Sequence, residues 1–188
     1  MRFSLVVSLF AAASACPALG QDIYRVDPLH TATTFSVTHL GLSHQRGSFG
    51  KTTGTVTLDR KAKTGSIDVL IDAASVTSGS PSREQMLRGE DYFDVARYPN
   101  IVFKATNLKF DGDALVGCEG ELTMRGVTRP VKLSVADFKC DIHPATKKPV
   151  CGAEVTAHVS RAEFGMVKNQ ASTSDDVVIA IAIEAIQQ

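Results

Sequence analysis

The sequence has no tryptophan, no run of like charges and, after residue 20, no apolar run of 18 residues. The last of these absences argues against stable insertion of the mature chain into a membrane through a helix. The even balance of 20 basic and 20 acidic residues argues against nucleic acid as a partner. No internal repeat or low-complexity tract divides the chain, and its length fits one domain with a sizeable core.

Motifs of familiar catalytic and nucleotide-binding sites are also lacking. The chain has no GxSxG nucleophile elbow, no GxGxxG and no P-loop. Its five histidines show neither the i, i+4 spacing nor the CxxC neighbourhood of a zinc site. We therefore predict that the protein is not an enzyme and has no catalytic residue, no metal site and no cofactor.

Residues 1–20 have the pattern of a secretory signal peptide. Arg2 is their only charge, and it is followed by an apolar run over residues 5–13 and by small residues up to Gly20. The small residues Ala18 and Gly20 place the predicted cleavage before Gln21, and lipidation of Cys16 is the alternative. Cleavage leaves residues 21–188 as one exported domain with 19 basic and 20 acidic residues.

Three cysteines remain after cleavage: Cys118, Cys140 and Cys151. Three thiols in an exported protein allow one disulfide and one leftover thiol. Cys140 and Cys151 flank a segment with two prolines that is typical of a hairpin connection, so we predict a disulfide between them. Cys118 alternates with charged residues and shares its face with Leu122, which predicts a buried, inert thiol.

Most of the chain beyond residue 22 alternates apolar and polar residues with a period of two. Phe35 and Val37 alternate with Thr34 and Ser36, for example. This pattern predicts an all-β fold of eight to ten amphipathic strands joined by short loops, with residues 46–58 in a single strand. Such strands form either a sandwich or a closed antiparallel barrel, and closure removes exposed edges.

Residues 83–99, REQMLRGEDYFDVARYP, interrupt the alternation. Pro81 suits the first turn of a helix, and Ser82 with Gln85 forms a weak capping box, so we predict a short helical segment within residues 81–95 that begins as a helix over 81–88. Apolar and charged residues are interleaved here. The segment is either a lid or plug for an apolar interior, or a connection whose apolar side only seals a core.

Four stretches, in order, resemble the signature motifs of the YceI-like family. They are residues 24–41 (YRVDPLH and FSVTHLG), 87–94 (LRGEDYFD), 120–130 (GELTMRGVTRP) and 161–165 (RAEFG). Arg125 stands where histidine is common in the family, and Glu121 stands where aspartate is. The resemblance covers residues 22–186 and implies a closed, lipocalin-like antiparallel β-barrel of about eight strands. It also implies a periplasmic protein that binds a polyisoprenoid or a comparably long amphiphile, of polyprenyl or quinone type.

The candidate ligand-binding residues match apolar positions of these motifs and have an inward-facing or lid location. They are Phe35, Val37, Phe49, Leu87, Phe93, Phe103, Leu122, Met124 and Phe164. The expected partner is an isoprenoid-type lipid, and a homodimer is left open. Two alternatives also stay open: an enzyme acting on isoprenoid or quinone headgroups, and a stress-related interaction protein whose barrel is filled. The first requires a polar cluster inside the barrel.

Overall fold

Strands make up most of residues 20–188, the part of the chain that the computed structural model describes. They are β1 (Asp22–Val26), β2 (Ala32–His39), β3 (Ser43–Phe49), β4 (Thr52–Asp59), β5 (Thr64–Asp72), β6 (Val76–Thr77), β7 (Asn100–Asp111), β8 (Ala114–Met124), β9 (Val127–Ile142), β10 (Pro149–Ser160) and β11 (Asp176–Gln187). The helix α1 (Pro81–Arg88) and the 3₁₀ turns Ala73–Ser75 and Ala162–Phe164 lie between them. The predicted short helical segment is confirmed.

The sheet closes because short strands combine into longer ones. Neighbouring strands follow the order β1–β4–β5–β7–β8–β9–β10–β11, and β11 pairs with β1 again through Val26 and Ala185. The strand β2 continues β1 along β11, with Ala182 opposite Ala32. In the same way β3 and β6 continue β4 and β5. The result is a closed antiparallel barrel of eight strands, as predicted.

The alternation of the sequence becomes the two faces of the barrel wall. Phe103 on β7 lies opposite Leu122 on β8, and both side chains are buried. Their neighbours Lys104 and Glu121 form the next pair and point outward. Lys104 reaches Asp68 on β5 at 2.7 Å, so the outer face carries ion pairs where the inner face is apolar. Each fully buried aliphatic or aromatic side chain contributes roughly 1.5–3 kcal/mol.

Two local predictions are wrong. Residues 46–58 form two strands, because β3 ends at Phe49, where it pairs with both β2 and β6, whereas β4 pairs with β1 and β5. The capping box is also absent, because α1 begins at Pro81 and thus already contains Ser82. The N-cap residue is Ser80, without a side-chain cap bond, and the carboxylate of Glu84 instead accepts from the backbone N–H of Ser78.

The predicted disulfide is confirmed. Cys140 and Cys151 lie directly opposite each other on β9 and β10, with their Cα atoms 4.0 Å apart and their sulfur atoms bonded. Cys118 is a buried free thiol, also as predicted. Burial raises the pKa of its thiol to about 11, so it stays protonated and unreactive at neutral pH.

Two predictions about the N-terminus lie outside the described residues. They are the signal peptide, of which only Gly20 is described, and the alternative lipidation of Cys16. Among residues 20–188, no helix has both the length and the apolar character needed to cross a membrane.

Candidate ligand-binding cavity

An internal cavity of about 230 Å³ lies inside the barrel. Its wall includes Leu87 and Phe93 at one end and Tyr24, Phe138 and Cys151 at the other. Packed protein interiors have few voids larger than one water molecule. This cavity has roughly 15–20 times the space that one water requires. The barrel therefore contains a true cavity in addition to its packed side chains.

The wall of the cavity is almost entirely apolar, because the inward positions of the strands supply most of it. The buried hydroxyls of Thr33 and Thr52 lie 2.9 Å apart and hydrogen-bond to each other. Among the described residues, no histidine or carboxylate lines this cavity. Nor does residue range 20–188 contain a cluster of three histidine, cysteine or acidic residues that could hold a metal ion. An apolar molecule is the ligand that this wall suits.

Arg161 is the charged residue of the wall, and only 3% of it is exposed. Its guanidinium donates from Nε to the carbonyl of Ser174 at 2.9 Å, from Nη1 to Met166 and Lys168 at 2.7 and 2.8 Å, and from Nη2 to Thr173 at 3.1 Å. Four backbone carbonyls thus replace water around the buried charge. Arg161 thereby fixes the loop between β10 and β11 at the end of the barrel.

Residues 81–98 cover this same end of the barrel and form what we call the lid segment. Its Leu87 and Phe93 are buried. The ring of Phe93 packs edge-on against Phe35 and Phe49, with centroid distances of 5.9 and 5.2 Å. Aromatic pairs in this arrangement are favourable beyond the burial of their area. The lid segment therefore closes the cavity with its apolar side.

Polar contacts hold the lid segment in place. Arg88 donates to two backbone carbonyls of residues 74 and 76 at 2.9 and 2.6 Å. Arg125, in the turn between β8 and β9, donates to the backbone carbonyls of Glu90, at 2.7 Å, and Tyr92. The amide of Asn169 donates to the hydroxyl of Tyr92 at 2.9 Å. Side chains from three different parts of this end of the barrel therefore hold the lid segment in place.

A groove of about 310 Å³, which we call the vestibule, adjoins the lid segment. It shares Phe35, Val37, Leu87, Tyr92 and Thr173 with the wall of the cavity. Its remaining lining is mostly polar and consists of His39, Gln45, Arg46, Arg83, Met86, Asn169 and Ser172. An apolar interior thus adjoins a polar surface groove at the end of the barrel that the lid segment covers.

Most predicted ligand-binding residues lie in the wall of the cavity. They are Phe35, Val37, Phe49, Leu87, Phe93, Phe103, Leu122 and Met124. Phe164 does not line it; only 1% of this residue is exposed, and it packs within the core. Phe164 lies in a 3₁₀ turn after β10, where strand alternation does not apply. Ligand contact at all nine predicted residues stays a prediction.

The sequence interpretation missed the half of the cavity far from the lid segment. Tyr24, Leu58, Leu115 and Phe138 line that half together with the disulfide residue Cys151. Leu58 and Leu115 lie on predicted strands, so their alternation was a usable signal. Arg161 was missed for a different reason, because an arginine in a sequence normally predicts exposure to solvent.

Comparison with known proteins agrees with the resemblance seen in the motifs. Residues 24–185 match the family described as the YceI-like domain. Protein YceI of Escherichia coli O157:H7 is 32% identical over 193 aligned positions, which cover 100% of both chains. Protein YceI of Salmonella arizonae is 31% identical, over 100% of this chain and 97% of its own.

Solved structures share the fold. BcnA of Burkholderia cenocepacia superposes with a TM-score of 0.71 at 22% identity, covering 85% of this chain and 98% of its own. A polyisoprenoid binding domain from Saccharophagus degradans, implicated in plant cell wall breakdown, superposes with a TM-score of 0.65 at 15% identity, covering 88% and 98%. Together with the family match over nearly all of the barrel, the curated relatives show that the chain belongs to the YceI-like family.

Proposed function

We propose that the protein is a periplasmic carrier that sequesters a long isoprenoid or similar amphiphilic lipid, of polyprenyl or quinone type. The observation that carries the proposal is the cavity of about 230 Å³ with an apolar wall inside a closed barrel. A cavity lined in this way binds by burying apolar surface. The eight predicted residues of its wall are the proposed tail-binding residues.

The energy of burial is sufficient for useful affinity. A prenyl tail that buries about 500 Å² of apolar surface gains on the order of 12 kcal/mol before the costs of association. Loss of translational and rotational freedom removes a large part of that gain. What remains supports binding at about micromolar concentration or below.

The position of the vestibule sets the orientation of the proposed ligand. The tail lies in the cavity, and the headgroup lies in the vestibule beside Tyr92 and Asn169, where hydroxyl and amide groups can replace water. The lid segment covers the tail. Passive sequestration of this kind needs no chemical step by the protein.

The relatives and the covalent structure support the proposal. A structural neighbour described as a polyisoprenoid binding domain shares this barrel. The disulfide between Cys140 and Cys151 is of the kind that persists in oxidising compartments outside the cytosol. Both the ligand class and the exported location predicted from the sequence are consistent with these observations.

The two alternatives fit the site less well. A filled barrel leaves the cavity unexplained. An enzyme acting on lipid headgroups needs an acid–base pair inside the barrel, whereas the cavity wall formed by the described residues has neither a histidine nor a carboxylate. The carrier function requires only an apolar wall, which this cavity has.

The proposal is tested by mass spectrometry of an organic extract of the protein purified from its own host. The expected result is one prenyl-type lipid in near-stoichiometric amount with the protein. A cavity-free exported protein of similar size, purified in the same way, controls for lipid carried along by the procedure. The carrier function is wrong if the extracts of the two proteins contain the same lipids at the same trace level.

A further inference from the structure

The turn between β2 and β3 carries two exposed leucines. Leu40 is 58% exposed and Leu42 is 84% exposed. The N–H of Leu42 donates to the carbonyl of His39 at 2.9 Å, and the two central residues of this turn, Leu40 and Gly41, have φ angles of 54° and 68°. Both angles are positive, as in a type I′ hairpin turn. A Cβ atom at Gly41 would meet no atom of the described residues within 4 Å, so the tip of the turn projects from the barrel.

Leucine is a poor residue for the first central position of such a turn. Asparagine, aspartate and glycine are preferred there, because a bulky side chain is strained at positive φ. The side chain of Leu40 lies largely in water, so packing does not compensate for this strain. Positions that break a local rule without a structural gain are often functional.

Two further exposed apolar side chains lie at the same end of the barrel. Met86 of α1 lines the vestibule, and Val167 lies in the loop between β10 and β11. This loop contacts the turn, because its Ser172 carbonyl accepts from the N–H of Leu40 at 2.7 Å. It also contacts the lid segment, since the ammonium of Lys168 lies 3.5 Å from a carboxylate there. We call the four exposed side chains at this end the apolar rim; they are Leu40, Leu42, Met86 and Val167.

Unpaired positive charge lies beside the apolar rim. The charged residues that line the vestibule are Arg46 and Arg83, and the described residues contribute no acidic group to this lining. Neither arginine has an ion pair or a side-chain hydrogen bond with another described residue, unlike Arg88, which donates to two carbonyls. Three of the four acidic residues of the lid segment have basic partners; the pairs are Glu84 with Arg88, Asp91 with Lys168 and Asp94 with Arg97. The surface around the rim therefore suits an anionic partner.

We infer that the apolar rim docks this end of the barrel on the surface of a lipid bilayer that contains anionic lipids. The inference rests on the proposed carrier function, because a carrier has to exchange its lipid with a bilayer. Single protruding side chains on separate elements can enter a fluid bilayer, whereas a protein partner would have to match their shape. The docked orientation places the vestibule and the lid segment against the bilayer.

The expected attachment is weak and reversible. The four side chains of the rim together hold about as much hydrocarbon as one myristoyl chain, whose insertion gives a binding constant of about 10⁴ M⁻¹. Arginines near an anionic surface strengthen such binding. Reversible attachment suits a protein that leaves the bilayer with its lipid.

The absence of tryptophan from the sequence allows a site-specific test. Leu42→Trp places an indole at the turn, and the control Val116→Trp places one on the outer face of β8. Each delipidated variant is titrated with vesicles of phosphatidylcholine and phosphatidylglycerol that contain no prenyl lipid. The emission of Leu42→Trp should shift to shorter wavelength and be quenched by brominated acyl chains, while that of Val116→Trp should stay unchanged. Unchanged emission from both variants would overturn the inference.

Removal of the two leucines tests the turn without endangering the fold. In Leu40→Asn, Leu42→Ser the vesicle affinity, measured by co-sedimentation, should fall at least about tenfold, because two inserting side chains are lost. The melting temperature should equal or exceed that of the wild type, since asparagine before glycine suits a type I′ turn. Affinity for the prenyl alcohol geranylgeraniol in solution should not change, because neither leucine lines the cavity or the vestibule.

The matched control is Leu29→Ser, Ile142→Ser, which removes two exposed apolar side chains outside the rim. This variant should bind vesicles as the wild type does. An equal loss of vesicle binding in the two double variants would show that general surface hydrophobicity, and not the rim, causes attachment, and would overturn the inference.

The contribution of charge is measured with a second pair of variants. Arg46→Gln, Arg83→Gln should bind vesicles that contain phosphatidylglycerol about tenfold or more weakly than the wild type, because each arginine near an anionic surface strengthens binding. Arg25→Gln, Arg60→Gln removes the same charge from exposed positions outside the vestibule and should bind as the wild type does. Equal affinities of the two double variants would overturn the preference for anionic lipids.

Further outcomes separate this inference from the carrier function. If an organic extract of the protein contains a prenyl lipid but the protein does not bind vesicles, the carrier function stands and the docking inference is wrong. If the protein binds vesicles but its extract contains no lipid, docking stands, and the carrier function, with lipid exchange at this surface, is wrong. A wild-type dimer that dissociates in Leu40→Asn, Leu42→Ser, without vesicle binding by either protein, would assign the rim to a second copy of the chain and overturn the inference.

Discussion

Leu122 lies in the middle of β8, with its side chain in the wall of the cavity and only 6% exposed. Its inward direction follows from the charged residues on either side of it in the sequence. The empty space in front of it does not follow from sequence, because alternation is the same for a strand that faces a void and for one that faces a packed core. The volume that stays unfilled depends on the combined size of all the side chains in the wall.

The variant Leu122→Trp should lose its co-purifying lipid or bind only a shorter one. Indole enlarges the side chain into unoccupied space, so the melting temperature of delipidated protein should change little. Val116→Trp, on the outer face of the same strand, is the control and should retain the lipid. If the interior were a packed core, Leu122→Trp would instead cost roughly 1–3 kcal/mol by overpacking, and that cost without any loss of lipid would contradict the account.

Arg161 illustrates a residue whose role no sequence pattern could predict. The sequence places it at the end of a strand, but its burial depends on four carbonyls contributed by residues 166–174. Only the folded loop brings these carbonyls together. The resemblance to the family motif includes Arg161 but does not explain why this arginine is buried.

Substitution of Arg161 should therefore be costly. Arg161→Met removes the donors and leaves buried carbonyls without partners, so the free energy of unfolding should fall by about 3–5 kcal/mol. Arg129→Met, at an exposed position, should change it by less than about 0.5 kcal/mol. Urea unfolding of both variants makes the comparison, and similar midpoints for the two would show that the buried guanidinium does not stabilise the loop.

At the scale of elements, the barrel wall was largely predictable and its irregularities were not. Period-two alternation located the strands and the lid segment because each has a distinct pattern. The break between β3 and β4 was missed, since it depends on pairing partners far away in the sequence, which are β2 and β6 for β3 and β1 and β5 for β4. The capping box was misplaced by two residues, because α1 begins at Pro81 and its N-cap is Ser80 instead of Ser82.

The β9–β10 disulfide should stabilise the barrel by restricting the unfolded chain. Its two cysteines are 11 residues apart, a loop for which the chain-entropy relation gives about 3 kcal/mol. The double variant Cys140→Ala, Cys151→Ala should lose about that much in urea unfolding. Reduction of the wild type with a thiol should lower its free energy of unfolding by a similar amount and leave that of the variant unchanged. If the thiol lowered the stability of both proteins equally, the loss would not come from the disulfide.

At the scale of the whole molecule, a closed barrel with one covered end separates an apolar interior from a charged exterior. The cavity wall formed by the described residues contains no group that titrates near neutrality. Burial keeps the pKa of the Cys118 thiol at about 11, so this group is neutral throughout the physiological range. The proposed binding of a lipid tail would therefore draw its free energy from the burial of apolar surface.

Tail binding should accordingly be insensitive to pH. The affinity for geranylgeraniol, which has no charge, should vary by less than about twofold between pH 5 and 9, because the described residues place no histidine or carboxylate in the wall. Titrations at four or more pH values check this. A sigmoidal change of affinity with a midpoint in this range would reveal an ionisable group in contact with the tail.

The proposed carrier function requires that the lipid tail lies inside the barrel. Nuclear Overhauser contacts between bound geranylgeraniol and methyl groups of the protein test it most directly. A tail inside the barrel should contact Leu115 and Leu122, which line the cavity on β8. It should not contact Val116, which follows Leu115 in the sequence and lies on the outer face of the same strand. Contacts with Val116 and none with Leu115 or Leu122 would place the lipid on the outside of the barrel and contradict the account.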